Sequence, residues 1–250
     1  MRSLSRYLLA AAIAFPIAFL LVLSFGQQWR YPALLPQEWT LGHWTRLFQA
    51  GSGLGQSLVY SLLLSAGMAL AGTSLGFLTA RQLVRHRWCQ YLLVLAYFPY
   101  VLAPVILAAI LQYYFIRFGL AGKLAGVMVA QLFFVYPFAV IFFFGFWNER
   151  MLALEQLAAT LGATAWQRLS RVLLPAAKGA LAVCFFQTFL ISWFEYGLTA
   201  LIGVGKIQTL TVKVFQYIGE ANLFLAALVS LLLAVPPVLL LWVNRQVLFK

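Results

Sequence analysis

One stretch of the chain reads Leu124-Ala-Gly-Val-Met-Val-Ala-Gln-Leu-Phe-Phe-Val-Tyr-Pro-Phe-Ala-Val-Ile-Phe-Phe-Phe-Gly-Phe-Trp147, 24 residues without a charged side chain. About 20 apolar residues in a helix, at about 1.5 Å of rise each, cross the roughly 30 Å hydrocarbon core of a bilayer. A proline such as Pro137 is tolerated in such a helix where neighbouring helices satisfy the freed carbonyl. The stretch therefore predicts a membrane-spanning helix.

Five further stretches of similar length are present, at about 7–26, 57–80, 91–113, 179–201 and 221–243. Of the six, only 179–201 contains a charged residue, Glu195. The 250 residues are 64% apolar and 9% charged, whereas soluble domains have about 25% charged residues. This composition excludes a water-soluble enzyme and a disordered chain. It predicts an all-α membrane protein with six transmembrane helices in a single domain over residues 1–250.

The basic residues predict how the spans are oriented. The chain has 17 Lys and Arg against 5 Asp and Glu, a net charge of +12. These basic residues are dispersed between the apolar stretches, which favours a topology signal over nucleic-acid binding. With the N-terminus inside, 11 of the 17 lie in inner segments, so both termini are predicted to be cytoplasmic. The six on the outer side are Arg30, Arg46, Arg117, Lys123, Lys206 and Lys213.

The first apolar stretch has a second interpretation. Arg2 and Arg6 precede it, and Ser24-Phe25-Gly26 resembles a small-residue cleavage site, as in a secretory signal peptide. The apolar core of a signal peptide is about 7–15 residues long, whereas this stretch covers 7–26. We therefore expect an uncleaved first span.

Few residues are available for metal or redox chemistry. The two cysteines, Cys89 and Cys184, lie outside any CxxC spacing, and the chain has two histidines and no aspartate. A disulfide framework, a zinc site or an oxygen-rich metal site is therefore not expected.

The chain also lacks a nucleotide-binding motif. A phosphate-binding loop needs GxxxxGK followed by Ser or Thr, and the nearest approach, Gly119-Leu-Ala-Gly122-Lys123-Leu124, has neither the spacing nor the hydroxyl. No HExxH motif occurs. We expect no catalytic residue and no bound cofactor, so that any ATP-driven activity must use a separate ATPase.

The segment between the fourth and fifth spans, residues 148–178, carries the most specific local pattern. Apolar residues recur at helical spacing at Leu154, Leu157, Ala158 and Leu161, which predicts one face of a short helix. Gly162 follows, where a helix end often needs a left-handed residue. Thr164 and Gln167 form a capping-box pattern for a second helix, and Pro175 is predicted to end that helix before the fifth span. The pattern predicts a helix, a glycine turn and a helix.

Neither short helix can bury its apolar face by itself. The pair could lie on the lipid headgroups as a surface helix. Alternatively, it could dock into a groove on a soluble partner. The pattern alone leaves both possibilities open.

The same residues resemble the cytoplasmic loop of ATP-binding-cassette importer permeases, the membrane subunits of binding-protein-dependent uptake systems. The family pattern is Glu-Ala-Ala, three residues, Gly, nine residues and Ile-x-Leu-Pro. Here Gln156-Leu157-Ala158, Gly162 and Val172-x-Leu174-Pro175 keep that spacing. The glutamate position holds Gln156, and Glu155 precedes it, which turns the carboxylate by about 100° around the helix. The hydrogen-bonding role can be met by the Gln156 amide.

The resemblance implies a membrane subunit of a bacterial inner-membrane importer, closest to permeases for polyamines, iron(III), thiamine and sulfate-like anions. It implies coupling through residues 154–175 to a cytoplasmic ATPase dimer, which holds the ATP and Mg²⁺. The implied partners also include a second permease subunit, identical or homologous, a periplasmic solute-binding protein and the lipid bilayer. The implied ATPase-coupling residues are Glu155, Gln156, Ala158, Leu161, Gly162, Ala163, Arg168 and Pro175.

Polar residues within the spans are candidates for the translocation pathway. A charged side chain such as Glu195 costs free energy in lipid, so a role is expected for it. It indicates either a gate or solute contact, or a structural hydrogen bond. Tyr196 adjoins it, and Gln187 lies about two turns earlier, where a helix–helix hydrogen bond is the alternative. Tyr136 precedes Pro137, where a kink would shape a cavity or serve only packing.

Two other functions of membrane proteins fit this sequence less well. A secondary transporter or channel driven by an ion gradient usually has internal repeats and several ionisable groups within its spans. Here Glu195 is the single charged residue within the predicted spans. A membrane-embedded enzyme would need a nucleophile–base pair or a metal site, and the sequence offers neither.

Overall fold

The computed structural model describes residues 2–29, 33, 35–45, 47, 49 and 53–248. Arg30, Arg46 and Lys250, which contribute to the predicted charge asymmetry, lie outside the described residues. The described helices are α1 (Arg2–Ser24), α2 (Gly42–Thr45), α3 (Leu54–Leu83), α4 (Cys89–Val101), α5 (Pro104–Arg117), α6 (Leu124–Phe146), α7 (Glu149–Thr160), α8 (Ala165–Gln167), α9 (Leu174–Trp193), α10 (Gly197–Gly203), α11 (Leu210–Gly219) and α12 (Leu223–Leu248). A π-helical stretch, Arg168–Leu173, joins α8 to α9.

Within the described part of the chain, four helices are long and apolar enough to cross a membrane. They are Leu54–Leu83, Leu124–Phe146, Ala165–Trp193 and Leu223–Trp242. The helices α4 and α5 together pass the same test. Helix α1 covers the first predicted span, but its described apolar part, Ala14–Ser24, is shorter than a span. The membrane-protein class is thus confirmed, and the number of six spans stays a prediction.

The third predicted span, 91–113, is not one straight helix. It is broken between α4 and α5, which are bent by 97°. Ala103 has ψ 142° and is extended, because the ring of Pro104 disfavours the helical conformation of the residue before it. The predicted span is therefore interrupted at Pro104, one of the two prolines, with Pro99, that lie inside it.

The fifth predicted span, 179–201, begins earlier and is interrupted. Contrary to the prediction, Pro175 does not end a helix, since the helix runs on from Ala165 to Trp193. The Leu174 N–H donates to the Leu169 carbonyl, five residues earlier. This wider π-helical turn moves the preceding carbonyls away from the proline ring, so that the helix continues through it. The interruption comes instead at residues 194–196, before α10.

The chain divides into two compact units. The first comprises Met1–Ser61 and Gln208–Leu239. Within it, β1 (Gly26–Gln28) pairs antiparallel with β2 (Glu38–Trp39), a ribbon that the all-α prediction did not include. The Leu210 N–H donates to Ser61 Oγ at 2.7 Å, which joins α11 to the start of α3.

The second unit comprises Leu62–Ile207 and Leu240–Lys250. One of its apolar clusters joins α3, α5, α6 and α10. A second cluster joins α3, α6 and α9 to the short helix α7, through residues that include Phe77, Phe143, Trp147 and Met151. The indole N–H of Trp147 donates to the Phe77 carbonyl at 3.3 Å. Helix α7 is therefore packed on the membrane helices rather than projecting free of them.

Two glycines allow α3 and α6 to approach closely. A Cβ at Gly72 would overlap Val135, and a Cβ at Gly76 would overlap both the side chain and the backbone of Ala139. This spacing of small residues, four apart, is a common contact between membrane helices, where packing replaces the hydrophobic effect.

Candidate functional site

Both ends of α7 have the local geometry that the sequence predicts. Asn148 Oδ1 accepts from the Met151 N–H at 3.1 Å and begins α7. At the other end Gly162 has φ +82°, and the Ala163 N–H donates to the Ala158 carbonyl at 3.1 Å. This bond across a left-handed residue closes the helix end. The predicted helix and glycine turn are confirmed.

The predicted capping box at the start of α8 is also confirmed. The Gln167 N–H donates to Thr164 Oγ1 at 3.3 Å. In return, the Thr164 N–H donates to Gln167 Oε1 at 2.9 Å. This reciprocal pair satisfies two N–H groups that a helix start otherwise leaves without partners.

The leucines of the apolar stripe on α7 do not lie on the buried face of this helix. The helix buries Met151, Glu155 and Ala158. By contrast, Leu157 and Leu161 are 59% and 79% exposed. Trp166, just beyond the turn, is 72% exposed. A carboxylate thus lies inside, and large apolar side chains lie outside.

Buried Glu155 forms an ion cluster with arginines from two other elements. Arg81 donates to both carboxylate oxygens, through Nε to Oε2 at 3.2 Å and through Nη2 to Oε1. Arg85 Nη2 donates to Oε2 at 2.6 Å. Arg168 Nη1 lies 3.8 Å from Oε1. One carboxylate therefore joins α7 to the end of α3 and to the π-helical stretch.

The cluster stays ionised at neutral pH. Burial by itself raises the pKa of Glu155, but hydrogen bonds from Arg81 and Arg85 and their charges outweigh burial and lower this pKa below its usual value. A lowered pKa means that the stabilisation is complete above the ordinary pKa of a glutamate, and is lost as the pH falls through the lowered value.

Apart from Ala158, which is buried, the other residues predicted to couple to an ATPase are more accessible. Gln156, Leu161, Gly162 and Pro175 are exposed, and Ala163 is half-buried. A Cβ built on Gly162 would meet nothing within 4 Å. The turn is thus an open surface that a partner can reach.

Glu195 lies at the break between α9 and α10. Its Oε1 accepts from the Leu198 N–H at 2.6 Å, and its Oε2 accepts from the Thr199 N–H at 2.9 Å and from the Thr199 hydroxyl at 2.7 Å. These bonds satisfy the first N–H groups of α10. The structural hydrogen bond considered for Glu195 is therefore present.

A buried polar network continues from Glu195. Gln131 Nε2 donates to Thr199 Oγ1 at 3.1 Å, and the Ser192 hydroxyl donates to Gln131 Oε1 at 2.6 Å. Ser192 Oγ also lies 3.3 Å from Ser65 Oγ. The network links α3, α6, α9 and α10 within an apolar surrounding. In the sequence, this polar network is indicated by Gln131, the one amide side chain in the fourth predicted span.

Tyr136 lies elsewhere, on a cavity of about 520 Å³ between α3, α4 and α6. Its hydroxyl donates to Thr79 Oγ1 at 3.1 Å. The lining residues are Thr79, Leu83, Leu92, Leu95, Ala96, Val129, Leu132, Phe133, Tyr136, Pro137 and Val140. Gln187 is exposed on α9, and Tyr196 is half-buried before α10. The structure does not bring the four predicted pathway residues into one cavity.

The described residues contain no group of three or more His, Cys, Asp or Glu side chains that could hold a metal ion.

The family of the chain is shown by its sequence. Residues 72–248 match the family described as the binding-protein-dependent transport system inner membrane component. The chain belongs to this family, and it is a multi-pass protein of the inner membrane. The family consists of transport permeases, which favours transport over the membrane-embedded enzyme considered above.

The chain is similar to one curated protein and to solved transporters. The inner membrane ABC transporter permease protein YcjP of Escherichia coli (strain K12) is 25% identical over 171 residues, which are 66% of this chain and 60% of that protein. The match thus spans less than two thirds of that relative.

Two solved structures have a similar fold. One is a bacterial ABC transporter involved in the import of the acidic polysaccharide alginate, with a TM-score of 0.64, 17% identity and coverage of 98% of this chain and 96% of that chain. The other is a bacterial alginate ABC transporter in complex with an alginate pentasaccharide-bound periplasmic protein, with a TM-score of 0.63, 17% identity and coverage of 98% and 95%.

Proposed function

We propose that this chain is the membrane-spanning subunit of an ATP-driven importer. It forms half of a translocation pathway with a second permease subunit, and it receives solute from a periplasmic binding protein. Its termini are cytoplasmic, as the distribution of basic residues favours. The family membership and the fold shared with ABC importers support this function.

The observation that carries the proposal is the exposed apolar surface around the glycine turn. Leu157, Leu161 and Trp166 are exposed although α7 buries a carboxylate. Large exposed apolar side chains at one place are typical of an interaction site, and a helix that presents such a face suits a groove on a partner. We propose that these three side chains dock into a cytoplasmic ATPase subunit. ATP and Mg²⁺ are bound by that ATPase.

Conformational coupling follows from this docking. Nucleotide binding changes the separation of two ATPase subunits, and the docked segment, residues 154–175, transmits the change to the spans. Such a rigid-body switch between two states is biased by the affinity of the ATPase for nucleotide in each state. In the pathway we propose roles for Tyr136, Gln187, Glu195 and Tyr196, of which Glu195 also holds the start of α10.

The docking surface can be tested with two tryptophans. Trp166→Ala removes a large exposed contact at the turn, and Trp88→Ala removes a tryptophan that is 49% exposed in the α3–α4 loop. We expect Trp166→Ala to reduce the ATPase retained on the affinity-purified permease by about tenfold, since aromatic anchors dominate interfaces. Trp88→Ala should retain wild-type amounts of ATPase.

Equal retention by both variants would contradict the docking surface. Failure of the wild-type permease to retain any ATPase in mild detergent would contradict the proposed function itself. The ion-gradient alternative requires uptake without an ATPase, which reconstitution of the permease alone would reveal.

The solute is a separate proposal. The sequence pattern favours small charged solutes such as polyamines, iron(III), thiamine or sulfate-like anions, whereas one structural relative is involved in the import of the acidic polysaccharide alginate. Calorimetric titration of the cognate binding protein with both classes distinguishes them.

A further inference from the structure

We propose that Glu155 is a positioning residue, which ties α7 to the end of α3 so that the two move as one body. This inference rests on the ATPase docking proposed above. It assigns Glu155 a role inside the permease, in contrast to the contact with the ATPase that its place in the segment predicts.

The orientation of Glu155 excludes a direct contact with a docked protein. The residue is 1% exposed, and both carboxylate oxygens accept hydrogen bonds within the chain. Its neighbours Gln156 and Leu157 are exposed at the surface of α7. The carboxylate therefore acts on α3, and the adjacent residues face the partner.

The bonds that Glu155 makes are directional. Arg81 donates to both oxygens, and Arg85, in the turn just after α3, donates to Oε2. Two-point pairing between a guanidinium and a carboxylate fixes geometry as well as distance. The apolar contacts beneath α7 itself, such as those of Met151, are non-directional. The ion cluster is thus the contact that fixes α7 against α3.

The cluster carries more positive than negative charge. Arg81, Arg85 and Arg168 approach one carboxylate. Arg168 Nε is buried without a hydrogen-bond partner among the described residues, so that Glu155 is the acidic group that compensates this guanidinium. Removing the charge of Glu155 would leave three cations close together, and their repulsion would separate α3 from α7 and from the π-helical stretch.

The test uses the whole complex of permease, ATPase and binding protein in proteoliposomes. Glu155→Gln keeps the shape and removes the charge, Glu155→Asp keeps the charge, and Arg81→Gln removes the main donor. Glu149→Gln is the matched control, because Glu149 is an exposed glutamate on the same helix. We expect Glu155→Gln and Arg81→Gln to retain the ATPase but to transport about tenfold less solute per ATP hydrolysed.

Three further results are expected. Glu155→Asp recovers most of the coupling, Glu149→Gln resembles wild type, and the double variant Glu155→Gln, Arg81→Gln is no worse than either single variant, because both remove one interaction. Wild-type coupling in Glu155→Gln would overturn the inference, as would additive losses in the double variant.

Loss of the ATPase from Glu155→Gln would also overturn the inference, since it would place Glu155 at the docking surface. That outcome leaves the proposed function intact. Only a wild-type permease that never binds an ATPase contradicts the function, so the two failures are distinguishable.

A distance measurement separates positioning from a general effect on folding. Spin labels at Ala153→Cys on α7 and Gln82→Cys on α3, both exposed positions, report the separation of the two helices after Cys89 and Cys184 are replaced by serine. In the wild-type background we expect the same distance with and without ATP. In the Glu155→Gln background the distance should change with ATP. A distance that changes with ATP in the wild-type background contradicts movement as one body.

Discussion

Single residues decide the shape of the turn at the proposed docking surface. Gly162 has φ +82°, a conformation that L side chains rarely adopt, and a Cβ there would meet nothing within 4 Å. A substitution at this position is therefore strained but not blocked by the chain itself. A long side chain would extend into the space that a docked ATPase occupies.

We expect Gly162→Arg to leave the permease in the membrane but to abolish solute-stimulated ATP hydrolysis and uptake. Gly162→Ala is the control, because it has the same backbone strain of about 1 kcal/mol without the length. Uptake and ATPase assays on the purified complex measure the two activities in each variant. Wild-type activity of Gly162→Arg would show that this turn does not dock, and equal loss in both variants would assign the defect to strain.

Local rules predict residues whose partners lie a few positions away. The bonds of Thr164 and Gln167 span three residues, so the sequence pattern is enough to predict them. The partner of Glu155 is Arg81, 74 residues away in sequence. Local periodicity cannot predict that pairing, because it contains no information about partners distant in the sequence.

At the scale of helices, α3 and α6 are held together by close approach. We expect Gly76→Ala to destabilise the second unit by about 1–3 kcal/mol, because the added methyl overlaps Ala139 of α6. Gly67→Ala on the same helix is the control, since its Cβ would meet nothing within 4 Å. Thermal unfolding of the detergent-solubilised variants provides the comparison. Equal melting temperatures of the two variants would contradict the proposed packing role of Gly76.

The helix ends show what sequence rules miss at this scale. Proline acts differently at two places: Pro104 begins a new helix after a 97° bend, whereas Pro175 lies within a continuous helix from Ala165 to Trp193. The difference is the π-helical stretch before Pro175, which changes the hydrogen-bond spacing. The break at 194–196 has no proline at all. Local hydrogen bonds, such as those from Thr199 to Glu195 four residues earlier, stabilise it.

For the whole molecule, composition alone indicates the class, because a chain with this apolar content needs lipid around it and a backbone that is bonded internally. The orientation in the membrane depends on the basic residues and stays a prediction. Lys123 lies in a predicted outer segment and Arg87 in a predicted inner one, and both side chains are exposed.

We expect a membrane-impermeant maleimide to label Lys123→Cys in intact spheroplasts, and to label Arg87→Cys only after permeabilisation. Both variants are made in a background with Cys89 and Cys184 replaced by serine, and the extent of labelling is measured by mass shift. The reverse pattern would place both termini outside.

The unbroken helix from Ala165 to Trp193 has a mechanical consequence. Its 29 residues extend about 40 Å at the usual rise, with Trp166 near one end and the break held by Glu195 just beyond the other. A helix of this length can act as a lever arm. A small rotation of this helix about a pivot near Trp166 would move the end at Trp193 much further than the end at Trp166.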